Sequence, residues 1–431
     1  MKTDSLNHQI LAIAWPAIVT NITTPLMGLI DVAITGHLGS SVFLAAIALG
    51  GTLFNMVYWL LNFLRMGTSG ITARAAGAGD DRQALLTLAR ALAIAGAMSL
   101  VILAASPLIG SLGLDLLDSD NATRHEAYRY FMVAVWGAPA VLGNYALAGW
   151  FIGMQDSRPV MYSALTTNIA NIILSLLLVY VCRLGIIGVA AGTATAQWCG
   201  LAVAVGMARK KISRLNARLT TDGIMERSRL REFFGINRDI MLRTLCIIAV
   251  TTWFTRAGAS QGSLVLAANA LLMQFFMLFS FFIDGFAYAA EAISGSAVGS
   301  GDKPRLHRAI RALFLWSGAL ALVFSALYFC VGESILGILT DDAATIDTAR
   351  EYMAWIVVVP LAGFAAFTWD GICIGMASTR LMLVSMAISA ALFFAAYHLL
   401  TPALGNHALW LAFILYLSAR GILQSILVRH S

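Results

Sequence analysis

This chain has few charged residues and lacks two common motifs of soluble enzymes. Charged residues make up 12% of its 431 residues and hydrophobic residues 59%, and its mean hydropathy of +0.81 lies outside the range of soluble globular proteins. The phosphate-binding loop Gly-x-x-x-x-Gly-Lys-Ser/Thr and the zinc motif His-Glu-x-x-His are both missing. We therefore predict that the protein is not an enzyme, does not use ATP directly and holds no metal or cofactor.

Cysteine provides no framework either. The five cysteines are scattered, and no Cys-x-x-Cys spacing occurs among them. They are Cys182, Cys199, Cys246, Cys330 and Cys373. This spacing predicts small buried residues rather than disulfides or metal ligands.

Long uncharged runs predict membrane-spanning helices, because about 20 apolar residues cross a hydrocarbon core roughly 30 Å thick. The runs cover 9–30, 38–64, 91–114, 131–155, 159–182, 184–208, 257–283, 312–332, 352–369 and 381–419. A weaker span between Arg243 and Arg256 and a C-terminal span bring the predicted number of helices to twelve, of which the seventh has the weakest signal. Because the runs are continuously apolar rather than alternating, they favour helices over a β-barrel.

The chain also repeats itself at a constant offset of 222 residues. The segment 44–49 returns at 266–271, the segment 77–80 at 299–302 and the segment 152–154 at 374–376. Two similar membrane halves around a site near the midplane are typical of secondary transporters. The repeat therefore indicates transport more strongly than any catalytic motif.

The number of crossings constrains the arrangement of the halves. Six crossings return the chain to its starting side, so both halves enter the membrane in the same direction. We predict an all-α polytopic membrane protein with twelve transmembrane helices in two six-helix lobes, related by a pseudo-two-fold axis along the membrane normal. The N-lobe with helices 1–6 covers 1–208, a basic cytoplasmic linker covers 209–238, and the C-lobe with helices 7–12 covers 239–431.

Basic residues predict the orientation. All four lysines and the arginine-rich linker fall on one predicted side, whereas aspartates cluster on the other side within 115–120 and 341–347. By the positive-inside rule, both termini and the linker are cytoplasmic. Basic loops beside anionic membrane lipid account for the net charge of +6, so we expect no nucleic-acid partner. The first span has no small-residue cleavage site, so we expect it to be retained.

Asp31 is the clearest candidate for a functional charge in the membrane. It follows the uncharged run 9–30, and its helix contains Pro16 and Pro25. An ionised side chain at the bilayer centre costs at least about 3 kcal/mol, and each proline removes a backbone hydrogen bond and permits a kink. The other interpretation is that Asp31 lies near the outer interface and only caps the loop at 36–39.

Polar residues of the fifth and sixth helices could join Asp31. Asn168, Asn171 and Ser175 are three and four residues apart, so they lie on one helical face. Thr193 on the sixth helix is a further candidate for a shared cation-coupling or substrate site. Interhelical hydrogen bonding for packing is the alternative role of these residues.

The C-lobe holds a second set of ionisable residues. Asp284 and Glu291 lie seven residues apart on one helical face, and Asp370 lies on the tenth helix. Asp284 and Asp370 are candidates for a second site for a proton, sodium or a cationic substrate, and Glu291 is nearer the cytoplasmic turn. Arg65, Arg256 and Glu291 are the possible charge partners, and an aspartate–arginine pair would make these acids structural.

Several segments together resemble the multidrug and toxic compound extrusion (MATE) transporters, in particular their DinF-like branch. These segments are 15–16 with Asp31 and 36–39, 237–243, 284–288, 370–375 and 404–409 with Trp410. The resemblance covers nearly the whole chain. It implies a V-shaped pair of six-helix lobes that exports amphipathic, often cationic compounds in exchange for a cation, from a bacterial inner membrane.

The resemblance also assigns residues. Members of this branch use an acidic residue of the first helix, matched by Asp31, and a bend at a proline, matched by Pro16. They commonly carry a second aspartate in the fifth helix; Asn171 matches the asparagine that precedes it, but Ser175 stands where that aspartate is expected. Asp370 matches an acidic position in the tenth helix that some members use for coupling. The substitution at Ser175 leaves Asp31 to act nearly alone or with the C-lobe acids.

The predicted function is proton-coupled multidrug antiport by alternating access, in which protonation of Asp31 lets the first helix bend at Pro16. Sodium coupling is an open alternative, with Asn171 and Thr193 among the oxygen ligands. The runner-up is a flippase for lipid-linked precursors in the same superfamily, which would need cations such as Arg65 for phosphate; a receptor or scaffold fits the repeat poorly. We expect small amphipathic substrates, a coupling cation and membrane lipid as partners, and a monomer.

Overall fold

The computed structural model describes residues 5–36, 41–115, 120–215, 217, 223–224 and 226–429. Throughout these ranges the regular structure is helical, and they contain no β-strand. The predicted all-α class is therefore confirmed.

Fourteen α-helices form the described part of the chain. They are α1 (Leu6–Gly36), α2 (Ser41–Leu61), α3 (Phe63–Gly77), α4 (Asp81–Asp115), α5 (Asn121–Ala134), α6 (Ala138–Gly153), α7 (Arg158–Leu176), α8 (Gly185–Ile212), α9 (Arg227–Ser260), α10 (Ser263–Gly299), α11 (Lys303–Leu339), α12 (Ala343–Gly375), α13 (Thr379–Leu404) and α14 (Asn406–Arg429). A 3₁₀ turn, Val135–Gly137, joins α5 to α6, and a π-helical turn, Leu177–Val181, continues α7.

Eleven stretches of helix in the described ranges are long and apolar enough to cross a membrane. Two of them combine short helices, α2 with α3 and α5 with α6. The remaining long helix, α9, is not among the eleven, and it carries eight charged residues. The predicted seventh span lies in this helix, which explains its weak hydrophobic signal.

The backbone follows the 222-residue repeat closely. Adding 222 to the first residue of α4, Asp81, gives Lys303, the first residue of α11; adding it to the start of α5 and the end of α6 gives Ala343 and Gly375, the two ends of α12. The repeat seen in three short sequence matches therefore extends to the ends of whole helices.

Equivalent turns adopt equivalent backbone conformations. Gly79 after α3 has φ 72° and Gly301 after α10 has φ 70°, a left-handed conformation that glycine adopts without steric cost. The next residue caps the following helix in both halves. The Asp80 carboxylate accepts from the backbone N–H of Gln83 at 2.8 Å, and the Asp302 carboxylate accepts from the backbone N–H of Arg305 at 2.8 Å. Both glycine-rich segments are thus helix-connecting turns.

Glycines at equivalent positions let helix backbones approach each other. A Cβ on Gly149 would lie 2.3 Å from the Arg65 carbonyl oxygen, and one on Gly371 would lie 2.4 Å from the carbonyl oxygen of Ala287, the repeat equivalent of Arg65. The pairs α3–α6 and α10–α12 therefore pack alike in the two halves.

The described chain divides into two compact units. The N-unit is residues 15–233, and the C-unit is the segment up to Ala14 together with the residues from Phe234 onward. Helix α1 contributes to both units, and the boundary falls between Ala14 and Trp15. Within the C-unit, Trp316 donates to Asn7 at 3.2 Å and so ties the start of the chain to α11.

Each unit has its own apolar core. In the N-unit, Trp150 and Phe151 are fully buried between α4, α6 and α8, and the Trp150 indole donates to the Ala84 carbonyl at 3.1 Å. The C-unit core is rich in aromatic rings, with Phe254 against Trp410 at 5.0 Å.

The segment predicted as a linker, 209–238, lies partly outside the described residues. Helix α8 continues into it to Ile212, and α9 begins in it at Arg227. Where the structure describes it, Arg90 of α4 donates to the carbonyl oxygens of Gly223 at 2.5 Å and Ile224 at 2.9 Å. These contacts attach that part of the segment to the N-unit.

The cysteines are free, but the prediction that they are mostly buried is wrong for two of them. Cys373 is buried, whereas Cys182 and Cys330 are exposed. Cys330 lies on the apolar helix α11, and a membrane protein presents apolar side chains to lipid as well as to its core. Cys182 lies in the bend directly after the π-helical turn.

Candidate functional site

Asp31 is a buried carboxylate on α1, with 4% of its surface exposed. Its Oδ1 accepts from Asn171 Nδ2 at 3.2 Å, and its Oδ2 accepts from Thr193 Oγ1 at 3.0 Å. The structure thus brings together three of the predicted site residues, from α1, α7 and α8 of the N-unit. Both carboxylate oxygens face the interior of the bundle; the loop residues 37–39, which belong to the alternative capping role, lie outside the described residues.

The α7–α8 hairpin holds Asn171 and Thr193 at the right separation. A Cβ on Gly192 would lie 2.5 Å from Ser175 Oγ and 2.8 Å from the Ser175 backbone nitrogen. Only glycine allows so close an approach of the two helices at this level. The residue after Gly192 is Thr193, so this contact sets the distance from the Thr193 hydroxyl to Asn171.

Asn171 is the centre of the hydrogen-bond network. Its Nδ2 lies 2.9 Å from Thr193 Oγ1 and 3.5 Å from Ser175 Oγ, in addition to the contact with Asp31. An amide nitrogen carries two hydrogens, so it cannot serve three acceptors at once. Asn171 Oδ1, in contrast, is buried and has no hydrogen-bond partner. We define Asp31, Asn171, Ser175 and Thr193 as the Asp31 cluster.

Tyr130 of α5 is a further neighbour that sequence reasoning did not identify. Its side chain is 4% exposed and lies close enough to Asp31 and Thr193 to interact with both. Gly50 of α2 makes room for its ring, since a Cβ there would lie 2.5 Å from the Tyr130 ring. Tyr130 lies between Arg129 and the start of the apolar run 131–155, and this sequence context contains no signal for such a role.

A second α1–α7 contact supports the cluster from one turn away. Asn168 Nδ2 donates to the backbone carbonyl of Thr23 at 2.9 Å. Asn168 therefore connects the same two helices as Asn171 but without contacting Asp31.

The repeat does not reproduce this chemistry in the C-unit. The positions 222 residues after the Asp31 cluster are Trp253, Phe393, Tyr397 and Leu415. Trp253, Phe393 and Tyr397 belong to one aromatic core cluster, in which the Trp253 ring packs edge-on against the Tyr397 ring at a centroid distance of 6.2 Å. The backbone is repeated, but the C-unit carries no carboxylate at the position equivalent to Asp31.

Asp370 lies in a different polar cluster within the C-unit. Its Oδ2 accepts from Arg420 Nη2 at 2.6 Å and from Arg243, and its Oδ1 accepts from Gln424 Nε2 at 2.7 Å. Arg243 and Arg420 were not among the predicted partners, which were Arg65 and Arg256. Their distance in sequence, 127 and 50 residues from Asp370, explains why the pairing had no local signal.

The predicted partner Arg256 lies elsewhere on α9. It is exposed, and its guanidinium stacks over the Trp253 ring at 5.6 Å. Arg65 on α3 is 4% exposed, and its Nε lies 3.4 Å from Asn62 Oδ1. The structure thus places the partners of Asp370 at other positions than these two arginines.

Asp284 and Glu291 occupy one long helix, α10. Asp284 is half-buried, whereas Glu291 is 1% exposed and its backbone carbonyl lies against Gly375. Pro16, the predicted hinge, is buried within α1, which continues as helix on both sides of it.

Two chemical features limit what these sites can hold. In the residues described, no three histidine, cysteine, aspartate or glutamate side chains are grouped so as to hold a metal ion.

Gly258, Ser260 and Gly262 have the spacing Gly-x-Ser-x-Gly, but Ser260 lies at the end of α9 and its hydroxyl donates to the Ala257 carbonyl at 2.8 Å. It does not lie on the strand-to-helix turn that makes such a serine a nucleophile.

Comparisons with known proteins agree with this architecture. The profile of the family described as MatE matches residues 16–177 and 240–398. "DNA damage-inducible protein F" of Escherichia coli K12 is 38% identical over 423 residues, which are 97% of this chain and 91% of that protein. "Multidrug resistance protein MdtK" of Edwardsiella ictaluri is 21% identical over 435 residues, covering 98% of this chain and 95% of its own.

Solved structures share the fold. A MATE protein in a bent conformation superimposes with a TM-score of 0.88 at 18% identity, covering 99% of this chain and 95% of that one. A multidrug resistance transporter in an outward-facing conformation superimposes with a TM-score of 0.84 at 19% identity, with coverages of 99% and 96%. Both likenesses support the predicted architecture of twelve helices.

Proposed function

This chain is a membrane transporter of the MatE family, and on that basis we propose that it exports amphipathic, often cationic compounds by proton-coupled antiport. The proposal rests on one observation above all: a buried carboxylate, Asp31, whose two oxygens are held by Asn171 and Thr193. A carboxylate in a membrane helix is costly to bury, so a transport role is the first expectation for it.

The proton has a defined destination in this network. Protonated Asp31 becomes a hydrogen-bond donor, and it then needs an acceptor. Asn171 Oδ1 is the buried acceptor that has no partner. Rotation of the Asn171 amide by half a turn would present that oxygen to the new O–H group. Proton uptake would thereby replace a network built around a negative charge with one built around a neutral acid.

Helix α1 would transmit the change. Pro16 has no backbone N–H, so the hydrogen bond to the carbonyl oxygen of Ala12 is missing and the helix can bend there at low cost. Asp31 holds the second half of α1 to α7 and α8 through charge-assisted hydrogen bonds. Neutralising Asp31 weakens these bonds, so that α1 is free to bend at Pro16.

Proton and substrate would then alternate. Asp31 takes a proton in the outward-facing state and releases it in the inward-facing state, where the restored negative charge favours a cationic compound. When one proton is exchanged for a neutral compound, the membrane potential supplies about 2.3 kcal/mol per 100 mV. When one proton is exchanged for a monovalent cation, no net charge moves and the pH gradient alone drives the exchange. Because Ser175 adds no carboxylate to the cluster, we propose that one proton drives each cycle through the N-unit.

Sodium coupling is the second candidate, and a specific feature favours it. The Asp31 cluster contains five side-chain oxygens: two of Asp31 and one each of Asn171, Ser175 and Thr193. Sodium needs several converging oxygens, and a rotated Asn171 amide would supply the fifth.

Asp370 is the weaker candidate for coupling. Its two arginine partners repel a cation, and its oxygens are already occupied by three donors. The flippase alternative relied on Arg65 and Arg256 as phosphate-binding cations, and Arg256 stacks on Trp253 instead. We place the protein in a bacterial inner membrane, as a multi-pass monomer with both termini in the cytoplasm.

Ethidium transport by everted membrane vesicles tests this proposal, under a proton gradient and a sodium gradient applied separately. The cytoplasmic face of these vesicles is outward, so efflux by the protein is measured as ethidium uptake into the lumen. We expect proton-driven efflux by the wild type, its loss in Asp31→Asn, and its retention in the matched variant Asp370→Asn wherever that protein is folded. Pro16→Ala should straighten α1 and slow efflux without changing the coupling ion.

Other outcomes would redirect the proposal. Sodium-driven efflux that Asp31→Asn abolishes would keep the site and change the ion. Gradient-driven efflux that survives Asp31→Asn would move coupling away from the N-unit. Absence of gradient-driven efflux in the wild type would favour the flippase.

A further inference from the structure

A buried cluster with an excess of positive charge lies within the C-unit. It consists of Arg243, Asp370, Arg420 and Gln424, whose exposed fractions are 7%, 5%, 4% and 0%. The residues come from α9, α12 and α14. We call them the arginine cluster.

Asp370 cannot neutralise both arginines. It pairs with Arg243 and with Arg420, so two positive charges share one negative charge and the four residues together carry +1. The carboxylate is also fully used, since Gln424 occupies its other oxygen at 2.7 Å. A net charge in a buried position is costly unless a counter-charge accompanies it.

The guanidinium groups retain unused donors. Arg243 Nε and Arg420 Nε are both buried and without hydrogen-bond partners, and so is Gln424 Oε1. In each of these three side chains, another atom of the same planar group contacts the Asp370 carboxylate. The three unpaired atoms therefore all lie close to that carboxylate. A buried donor of a charged group that remains unpaired costs more than a neutral one.

The acid nearest to Arg243 on the same helix is engaged elsewhere. Asp239 lies one turn before Arg243 on α9, but its carboxylate binds Arg238 at 2.9 Å and Thr379 at 3.3 Å. Tyr416, whose hydroxyl faces Met386 Sδ at 3.1 Å, and Cys373 are neutral neighbours of the cluster. The rings of Phe367 and Tyr416 flank the Arg420 guanidinium at 5.7 and 5.3 Å.

The arginine cluster is not a by-product of the repeat. The positions 222 residues earlier are Asn21, Ala148, Trp198 and Ala202, and none of them is charged. The charges are therefore a feature of this half alone, as Asp31 is of the other half.

We propose that Arg243 and Arg420 bind a small monovalent oxyanion, of the chemistry of dihydrogen phosphate or a phosphate monoester. The two Nε–H groups donate to its oxygens, its charge balances the surplus, and its hydroxyl or a bridging O–H donates to Gln424 Oε1. Asp370 acts as a positioning residue that holds both guanidinium groups. This site is independent of the Asp31 cluster and of the coupling ion.

Thermal unfolding of the purified full-length protein in detergent tests the site. Sodium phosphate replaces sodium gluconate at constant pH and ionic strength, so that screening is unchanged. We expect a saturable rise in the Tm of the wild type, since a ligand that binds the folded state stabilises it. Arg420→Gln reduces the cluster to one positive and one negative charge, and the rise should disappear.

Asp370→Asn should change the rise in Tm with phosphate in the opposite direction to Arg420→Gln. It leaves two positive charges without a carboxylate, so its Tm in gluconate should be lower and its rise in phosphate larger than in the wild type. Arg420→Lys keeps the charge and should retain part of the rise. Arg350→Gln, which removes an exposed arginine paired with Asp347 at 2.7 Å, should behave as the wild type.

Two sources of the phosphate group can be distinguished by adding phosphatidic acid to the micelles. A rise in Tm at far lower concentration than with inorganic phosphate indicates a lipid headgroup, whereas a response to inorganic phosphate alone indicates a free ion. Equal Tm in phosphate and gluconate for the wild type would overturn the proposal. An equal rise in Tm for the wild type and Arg420→Gln would also overturn it. If Arg420→Gln does not fold, the test is saturable binding of [32P]phosphate to the wild type, and its absence overturns the proposal.

Discussion

Asn171 donates its amide to Asp31 at 3.2 Å while its own carbonyl oxygen, also buried, has no partner. This residue therefore stabilises the charged form of Asp31 and contains the acceptor that the protonated form would need. An arrangement that serves both forms is what a reversible proton site requires, whereas a purely structural amide would use both of its ends.

Asn171→Ala should uncouple transport more than it destabilises the fold. A hydrogen bond to a charged group contributes about 1.5–3 kcal/mol, which corresponds to a loss of roughly tenfold or more in proton-driven efflux. The matched control is Asn168→Ala, which breaks an α7–α1 contact of 2.9 Å to the Thr23 carbonyl but leaves Asp31 untouched. Equal loss of efflux in the two variants, measured in vesicles with equal protein content, would show that Asn171 serves packing alone.

Gly192→Ala should disrupt the α7–α8 hairpin. Its Cβ would lie 2.5 Å from Ser175 Oγ and 2.8 Å from the backbone nitrogen of the same residue, and such overpacking costs about 1–3 kcal/mol. We expect a lower Tm and weaker efflux, because the displacement separates Thr193 from Asn171.

Gly206→Ala is the control for this change on the same helix. No atom lies within 4 Å of its added Cβ, and alanine favours a helix over glycine by about 1 kcal/mol. Its Tm should equal or exceed that of the wild type. A Gly192→Ala protein with unchanged Tm and efflux would contradict the close packing described for α7 and α8.

The pair Glu232–Arg74 should make stability depend on pH in the acidic range. Partial burial raises the pKa of Glu232, but the hydrogen bond and charge of Arg74, 2.8 Å away, and those of Arg229 outweigh it, so the pKa lies below its ordinary value of 4.5. A depressed carboxyl pKa stabilises the fold above the unfolded-state value and loses this contribution as the pH falls through the folded-state value.

Glu232→Gln should therefore lower the Tm at pH 7, and this difference should shrink as the pH falls through the folded-state pKa, which lies below 4.5. With about a third of the Glu232 side chain exposed, the contribution should not exceed about 1 kcal/mol. Arg74→Gln should have a smaller effect in the same direction, because Arg229 still pairs with Glu232, and the double variant should lose no more than Glu232→Gln alone. A difference that persists undiminished at low pH would assign the effect to packing.

Long apolar runs were sufficient to predict the membrane helices, because the hydrocarbon core demands a continuous stretch of fixed length. The repeat was equally accessible: three short matches at one offset anticipated helices such as α12, whose ends at Ala343 and Gly375 correspond to Asn121 and Gly153. The helix with the weakest prediction, α9, is the one that carries Arg243.

The candidate site was only partly predictable. Asp31 stands out in sequence because a charge in an apolar run is costly, and Asn171 and Ser175 share a face four residues apart. Tyr130 carries no such signal. The partners of Asp370 were predicted wrongly, because arginines on three different helices are equally plausible until the packing is known.

The sequence alone determined the all-helical class, the approximate length of the apolar helices, their duplication and the rarity of charge within them, since each follows from local composition and spacing. Only the tertiary structure decided which charges meet. Asp31 reaches donors 140 and 162 residues away, and Asp370 lies between two arginines. Such contacts depend on the distance and rotation of neighbouring helices, which glycines such as Gly192 set by letting backbones approach.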